Sequence, residues 1–168
     1  MAKAQLVKSL RQRALEYLSK REYSYAELGQ KLKTYAEETD NVQALLDDFK
    51  QRGWLSDARF TEQIVHARKA KFGSAKVAQE LREKGVDDTL IADAIGRVKV
   101  DELDNAKAVW RKKFKAVPSN RNEWAKQARF LQSRGFGFDI IKNVLNSKFE
   151  DDNSCHTVTL HCYSPMQA

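Results

Sequence analysis

Apolar residues recur along most of the chain at spacings of three and four positions, with polar residues between them. This pattern is typical of helices that bury one face. Residues 52–86 show it most clearly, because Phe60, Ile64 and Ala67 fall on one helical face and a second apolar stripe begins at Val77. Helices this short do not persist alone in water, so the two must pack against each other and against a third element.

Glycines and capping residues mark where the predicted helices begin and end. Gly53 is expected to end one helix, because glycine tolerates the left-handed conformation found after a helix C-terminus. Ser24 and Glu27 have the spacing of a capping box, in which each side chain binds the backbone of the other residue. The residues predicted to cap helices are Ser24, Asp40, Ser56, Ser74 and Asp87.

The same pattern predicts helices throughout the chain and no sheet. Runs of alternating β-branched residues, which would indicate strands, are missing before residue 151. The fold class expected from the sequence is therefore all-α. The predicted helices cover about residues 5–21, 25–34, 42–49, 57–70, 74–84, 88–98, 101–115, 121–134 and 138–149.

These helices repeat with a period near fifty residues. Residues 81–86, LREKGV, align with residues 131–136, LQSRGF, when the sequence is shifted by fifty positions. Such a period is typical of a tandem array, in which each unit buries its apolar face partly against its neighbours. We therefore expect an elongated array of three three-helix repeats at residues 1–54, 55–99 and 100–150, followed by a disordered tail at residues 151–168.

The chain is basic, with a formal net charge of +7 over 168 residues. Residues 151–168 contain two aspartates and no lysine or arginine, so the helical part carries all of the positive excess. A charge of this sign favours association with a polyanion such as nucleic acid, or with an acidic groove. It is equally compatible with basic side chains that are only solvated.

The sequence contains no motif of an enzyme active site. A phosphate-binding glycine loop, a metal-binding helix motif and a nucleophile elbow are all missing. His66 is the only histidine of the helical part, and we expect a partly exposed helix residue rather than a base. We therefore expect a protein that is not an enzyme and uses no cofactor. Core packing, rather than base stacking, is expected for Trp54, Trp110 and Trp124.

The tail contains both cysteines of the chain. Cys155-His156 and His161-Cys162 could offer ligands to zinc, but adjacent ligands leave too little chain to wrap the ion, so we expect no metal site. The N-terminus lacks a signal-peptide pattern, and no stretch approaches the ~20 apolar residues that cross a bilayer. We expect a cytoplasmic protein that has no membrane partner and acts as a monomer.

Five short stretches follow the pattern of a known family in the same order. They are YAELGQKL at 25–32, GWLSDARF at 53–60, KFGS at 71–74, QELREKGV at 79–86 and RFLQSRGF at 129–136. On these stretches the sequence resembles the RecX family, regulators of the RecA recombinase, over about residues 10–149. The second, third and fourth stretches are the most specific.

The resemblance implies a curved array of three-helix repeats that regulates a partner without catalysis. It implies binding to RecA filaments on single-stranded DNA and restraint of RecA's ATP hydrolysis, strand exchange and co-protease activity. Whether DNA is touched directly or through RecA stays open. The residues expected to contact the filament or DNA are Arg59, Arg68, Lys69, Lys71, Lys76, Arg82, Lys126, Arg129 and Arg134.

Two alternatives without a RecA partner are a helix-turn-helix repressor and a nonspecific DNA-binding module. Three-helix units with short turns are compatible with a repressor. The candidate recognition helix at residues 89–98 is mostly apolar and acidic, with Arg97 as its only cation, which suits a major groove poorly. The sequence does not exclude nonspecific DNA binding.

Overall fold

The computed structural model describes residues 8–146, and this range contains nine helices and no strand. The helices group in threes, and we call α1–α3 module 1, α4–α6 module 2 and α7–α9 module 3. They are α1 (Leu10–Leu18), α2 (Tyr25–Lys33), α3 (Val42–Gln51), α4 (Asp57–Arg68), α5 (Ser74–Glu83), α6 (Asp88–Val100), α7 (Glu102–Arg111), α8 (Arg121–Ser133) and α9 (Phe138–Asn146).

Each module has its own hydrophobic cluster. Phe49 and Leu28 are fully buried in module 1, Phe60 and Leu81 in module 2, and Leu131 in module 3. The modules follow one another along the chain, with α6 packed on α7 between the second and the third. The prediction of an all-α array of tandem three-helix repeats is confirmed.

The residue boundaries between the repeats stay a prediction. Leu55, which the boundary at 54 assigns to the second repeat, packs in the cluster of module 1. The predicted disordered tail at 151–168, with its cysteines and histidines, lies outside the described residues.

Three helices end in the same left-handed glycine turn. Gly53, Gly85 and Gly135 have φ angles of +70°, +70° and +83°. After each glycine the next N–H bonds back to the carbonyl five residues earlier, as from Val86 to Leu81. This closes the last turn and satisfies carbonyls that the helix leaves open. The prediction that Gly53 ends a helix is confirmed.

Three of the predicted caps are confirmed: the side chains of Ser24, Ser56 and Asp87 accept backbone N–H bonds at the starts of α2, α4 and α6. The capping box at Ser24 is wrong in its second half. The Glu27 carboxylate turns away from its own helix start and binds Arg21 and Lys84 instead.

Two caps lie one residue from the predicted position. Asn41, not Asp40, caps α3 through its side-chain oxygen, while Asp40 accepts the N–H of Glu37 in the preceding turn. Gly73, not Ser74, is the cap residue of α5. Ser74 is instead the first helical residue, because its N–H is held by a carboxylate from module 3.

Two helices are shorter than predicted. The helix expected at 5–21 begins at Leu10, because Ser9 and Gln12 form a capping box there, and it ends at Leu18. The helix expected at 101–115 ends at Arg111. Phe114 then packs edge-on against Phe130, with ring centroids 5.3 Å apart, which directs the chain back onto the module 3 cluster.

Neighbouring modules meet at two joints with the same architecture. At the first joint the N–H of Tyr25, the first residue of α2, donates to the Asp57 carboxylate at 2.8 Å. At the second joint the N–H of Ser74, the first residue of α5, donates to the Glu102 carboxylate at 2.7 Å. Asp57 and Glu102 are each the first residue of the next module's first helix. Each carboxylate therefore serves a helix N-terminus of the neighbouring module, where negative charge is favourable.

The glycine turns complete both joints. Gly85 lies against Ala26 at the start of α2, and Gly135 lies against Lys76 at the start of α5. At the second joint two backbones touch directly, because Gly73 donates its N–H to the carbonyl of Arg134 at 2.9 Å. A Cβ on Gly73 would lie 2.3 Å from the carbonyl oxygen of Gly135, so this contact requires glycine.

Gly73→Ala is expected to lower the free energy of unfolding by about 2 kcal/mol, because the added methyl collides with backbone that cannot rotate away. Gly96→Ala in α6 is the matched control: its Cβ would have nothing within 4 Å, and it is expected to stabilise by about 1 kcal/mol. Urea unfolding of both variants checks this. A Gly73→Ala protein as stable as the unsubstituted chain would contradict the close contact at the second joint.

Candidate functional site

Three of the nine residues expected to contact a partner meet at the second joint. Lys71 lies in the loop between α4 and α5, Lys76 in the first turn of α5 and Arg134 just after α8. Arg134 donates to the backbone carbonyl of Lys71 at 3.3 Å, and Lys76 donates to the carbonyl of Ser133 at 3.3 Å. Both cations lie over the ring of Phe72, at 5.9 and 5.0 Å from its centroid.

Three others are engaged in ion pairs within the chain. Their partners are Glu22 for Arg59, Glu80 for Arg68 and Asp88 for Arg82. The Arg68–Glu80 pair is bidentate, because both carboxylate oxygens accept from the guanidinium. These hydrogen bonds raise the pKa of Arg68 above its ordinary value. A cation held in this way is less available to a partner, because the internal carboxylate must first be displaced.

Of the remaining three, Lys126 and Arg129 are neighbours on one helix and Lys69 lies on another element. Lys69 lines a small cleft beside His66, between α4 and α6. Lys126 and Arg129 are exposed on α8, and the Arg129 side chain bonds to the carbonyl of Ala125 in its own helix. No described cleft contains more than two of the nine residues.

The first joint contains a cleft of about 320 Å³ whose charges are internally paired. Its cations are Arg21, Arg68 and Lys84, and its acids are Glu27 and Glu80. Glu27 accepts from Arg21 at 3.0 Å and from Lys84 at 2.7 Å. Burial opposes ionisation of Glu27, but these hydrogen bonds outweigh it and hold the pKa of its carboxyl below its ordinary value.

The second joint contains the equivalent cleft, of about 330 Å³, and no carboxylate is among the side chains that line it. None of the ion pairs among residues 8–146 involves any of the four cations that line it. Two of them lie over the ring of Phe130, Lys113 at 4.3 Å and Arg134 at 4.7 Å from its centroid. We call this the α7–α8 cleft; its cations are Lys71, Lys112, Lys113 and Arg134.

The difference between the clefts comes from two positions of the repeat. One position is the third residue of the helix whose first N–H binds the next module's carboxylate. This residue is Glu27 in α2 and Lys76 in α5. The residue five positions before the glycine turn is Glu80 at the first joint and Phe130 at the second. Both carboxylates that neutralise the first cleft are thus replaced, one by a cation and one by an aromatic ring.

The α7–α8 cleft can therefore attract and hold an anionic group. Four like charges around one opening raise the local positive potential, and a bound anion would replace the missing carboxylates. The side chains that line it include no carboxylate, imidazole, thiol or hydroxyl group. Residues 8–146 also contain no group of three or more side chains that could hold a metal ion.

Lys112, Lys113 and Phe130 belong to the cleft and were not among the nine predicted residues. The basic run at residues 111–115 is a visible signal in the sequence. A fifty-residue shift also places Phe130 on Glu80. What the sequence could not show is that these side chains line one cleft together with Arg134 and with Lys71 of module 2.

The tryptophans differ in their surroundings. Trp110 is buried and donates to Gln127 at 2.7 Å, and Trp124 packs against the module 3 cluster. Trp54 is 43% exposed, which corrects its assignment to the core. Its ring meets Phe49 edge-on and carries the guanidinium of Arg52 over its face, so it offers no bare stacking surface.

Comparisons with known proteins agree on one family. Residues 56–95 match the family model of the RecX second three-helix domain, and residues 100–145 match that of the third. A regulatory protein RecX of Leptothrix cholodnii is 43% identical over 137 residues, covering 82% of this chain and 87% of the relative. One of Chromobacterium violaceum is 43% identical over 145 residues, covering 86% and 94%.

Solved structures show the same fold. The crystal structure of RecX from Lactobacillus salivarius superposes with a TM-score of 0.67 at 22% identity, covering 80% of this chain and 91% of that one. A second crystal structure of a regulatory protein RecX gives a TM-score of 0.71 at 21% identity, covering 82% and 72%. None of the helices within residues 8–146 is long and apolar enough to cross a membrane.

Glu27→Gln is expected to lower the free energy of unfolding at pH 7 by about 1 kcal/mol, since its ion pairs are only partly shielded from water. The folded carboxyl has the lower pKa, so its contribution is present above the ordinary glutamate pKa of about 4.3 and is lost as pH falls through the folded value. The difference from the unsubstituted chain should therefore shrink in acid. Denaturant unfolding across pH 3–7 measures it.

Glu38→Gln is the matched control, because Glu38 is exposed and belongs to none of the ion pairs described. It should change stability by less than about 0.5 kcal/mol at any pH. A Glu27→Gln effect that stays constant from pH 7 to pH 3 would contradict the ionised role of Glu27 at the first joint.

Proposed function

The chain belongs to the RecX family, and we propose that it is a regulator that binds RecA filaments on single-stranded DNA. We propose further that it restrains the filament's ATP hydrolysis, strand exchange and co-protease activity. It acts by binding alone, without a cofactor, as a cytoplasmic monomer. The relatives are named regulatory proteins, which supports regulation in general; the particular activities restrained are our proposal.

The observation that carries the proposal is the linear series of modules with a repeated joint. A filament presents the same surface again and again, and a chain of modules can contact several copies at once. Many weak contacts on linked units bind more tightly than any one of them alone. The open clefts at the joints suit such shallow contacts better than they suit a small-molecule substrate, which prefers an enclosed pocket.

We propose that the unpaired cations make the contacts to the filament or its DNA. Lys71, Lys76 and Arg134 surround the second joint, Lys126 and Arg129 are exposed on α8 of module 3, and Lys69 lines the small cleft between α4 and α6. The paired cations have a second role in holding the chain's own helices together. They are Arg59, Arg68 and Arg82, of which Arg59 links module 2 to Glu22 of module 1.

The DNA-dependent ATPase of RecA on single-stranded DNA is expected to fall when this protein is added at well below one molecule per RecA. Charge reversal at Lys71 and Lys112 should raise the amount required by about tenfold, corresponding to about 1.4 kcal/mol of lost contact. Lys20→Glu/Lys33→Glu in module 1 is the matched control, because both lysines are exposed and the charge change is the same.

An unchanged ATPase at every ratio, with the protein shown to be folded, would contradict the proposal. Suppression that vanishes when excess single-stranded DNA is supplied would instead indicate competition for DNA, as a nonspecific DNA-binding module would show. A preference for one duplex sequence would favour a repressor. The RecA regulator is distinguished by its need for the filament.

A further inference from the structure

We propose that the α7–α8 cleft binds a pair of carboxylates carried by an acidic segment of a partner protein. The two carboxylates would supply the negative charge that Glu27 and Glu80 supply at the first joint. This inference rests on the proposed function only in taking a protein as the partner. It names the chemistry that the cleft recognises, whichever protein supplies it.

The first joint shows how carboxylates fit this geometry. The Glu80 carboxylate lies 2.9 Å from both Nε and Nη2 of Arg68, across the space between α5 and the end of α4. The Glu27 carboxylate bridges Arg21 and Lys84. The first joint therefore holds two carboxylates between three cations, and each carboxylate accepts charge-assisted hydrogen bonds.

The second joint repeats the cations but not the acids. Lys113 takes the place of Arg68, and Arg134 takes that of Lys84 before the glycine. Lys71 lies three residues before its joint helix and Arg21 lies four residues before its own, so each cleft also has a cation from the preceding loop. Lys112 adds a fourth cation. The cleft volumes, about 320 and 330 Å³, are nearly equal. The second cleft thus retains the room and the donors for anions that its own chain does not supply.

Carboxylates fit the cleft better than nucleic acid does. Binding of single strands combines a cationic groove with bare aromatic faces on which bases stack. The aromatic rings at this joint already have cations over their faces: Lys113 and Arg134 over Phe130, and Lys76 over Phe72. The rings orient the cations and leave no platform for a base. Side chains with a compact charge and no ring match what remains.

Fluorescence polarisation with the full chain tests the proposal directly. The probes are a labelled ten-residue peptide of alternating glutamate and alanine, and a labelled oligothymidylate of the same net charge. Phe130→Glu restores an internal carboxylate beside Lys113, and it is expected to weaken peptide binding about tenfold. Phe138→Glu is the matched control: the substitution and charge change are identical, and Phe138 is 66% exposed outside the cleft. It should leave peptide binding unchanged.

A second variant guards against misfolding at Phe130, which contacts the module 3 cluster. Lys71→Gln/Lys112→Gln changes only exposed side chains and is likewise expected to weaken peptide binding about tenfold, whereas Lys20→Gln/Lys33→Gln should not. Equal peptide affinity in all variants would overturn the proposal. So would a cleft variant that loses the oligothymidylate and keeps the peptide, since that result would assign the cleft to nucleic acid.

The test uses no RecA, so its outcome is separable from that of the proposed function. Peptide binding that depends on the cleft, together with an unaffected RecA ATPase, would leave the acidic-segment site standing and refute the RecA role. Suppression of the ATPase without any cleft-dependent peptide binding would support the RecA role and refute the acidic-segment site.

Discussion

The arrangement of the modules depends on one interaction that occurs twice: a carboxylate at the start of one module's first helix accepts the first N–H of the preceding module's second helix. The first N–H groups of a helix have no partner within it. At the second joint this N–H is buried, and the Glu102 side chain that receives it is only 5% exposed. Losing the carboxylate would leave a buried donor unsatisfied, which costs about 1–3 kcal/mol. Asp57 does the same at the first joint for Tyr25. The glycine turns then allow the backbones to approach, and the clefts form where the joined modules diverge.

Because the joints share an architecture, the difference in their charges is informative. At the first joint, Glu27 and Glu80 form ion pairs with all three cations that line the cleft. At the second joint Lys76 and Phe130 occupy those two positions, and the cations stay unpaired among the residues described. Surface ion pairs contribute little to stability, so giving them up at one joint costs the fold little. The same three-helix unit can therefore serve as internal structure at one joint and as a binding surface at the next.

Much of this fold could be predicted from local sequence. The apolar stripes at Phe60 and Val77 indicated the helices, Gly53 indicated a helix end, and the fifty-residue shift indicated the array. Prediction failed where a partner distant in sequence decides the outcome. Glu27 was expected to bind its own helix start, but Lys84 reaches it from the next module. Ser74 was expected to cap α5, but Glu102 holds its N–H. The candidate site shows the same limit: a basic sequence indicates cations, while packing decides that Arg68 is neutralised and Lys113 is not.

The most direct test of the account is native-state hydrogen exchange at the first residue of each joint helix. Ordinarily such amides exchange quickly, because no helical carbonyl holds them. The account predicts that the amides of Tyr25 and Ser74 exchange at least about 100-fold more slowly than that of Arg121, the first residue of α8. Among residues 8–146, neither a carboxylate nor a carbonyl accepts the Arg121 N–H, and the Asn120 side chain binds the N–H of Glu123 instead. Protection near that of the buried core would show that the modules stay docked through these bonds. Equal, fast exchange at all three amides would contradict the joint and, with it, the clefts that the joint creates.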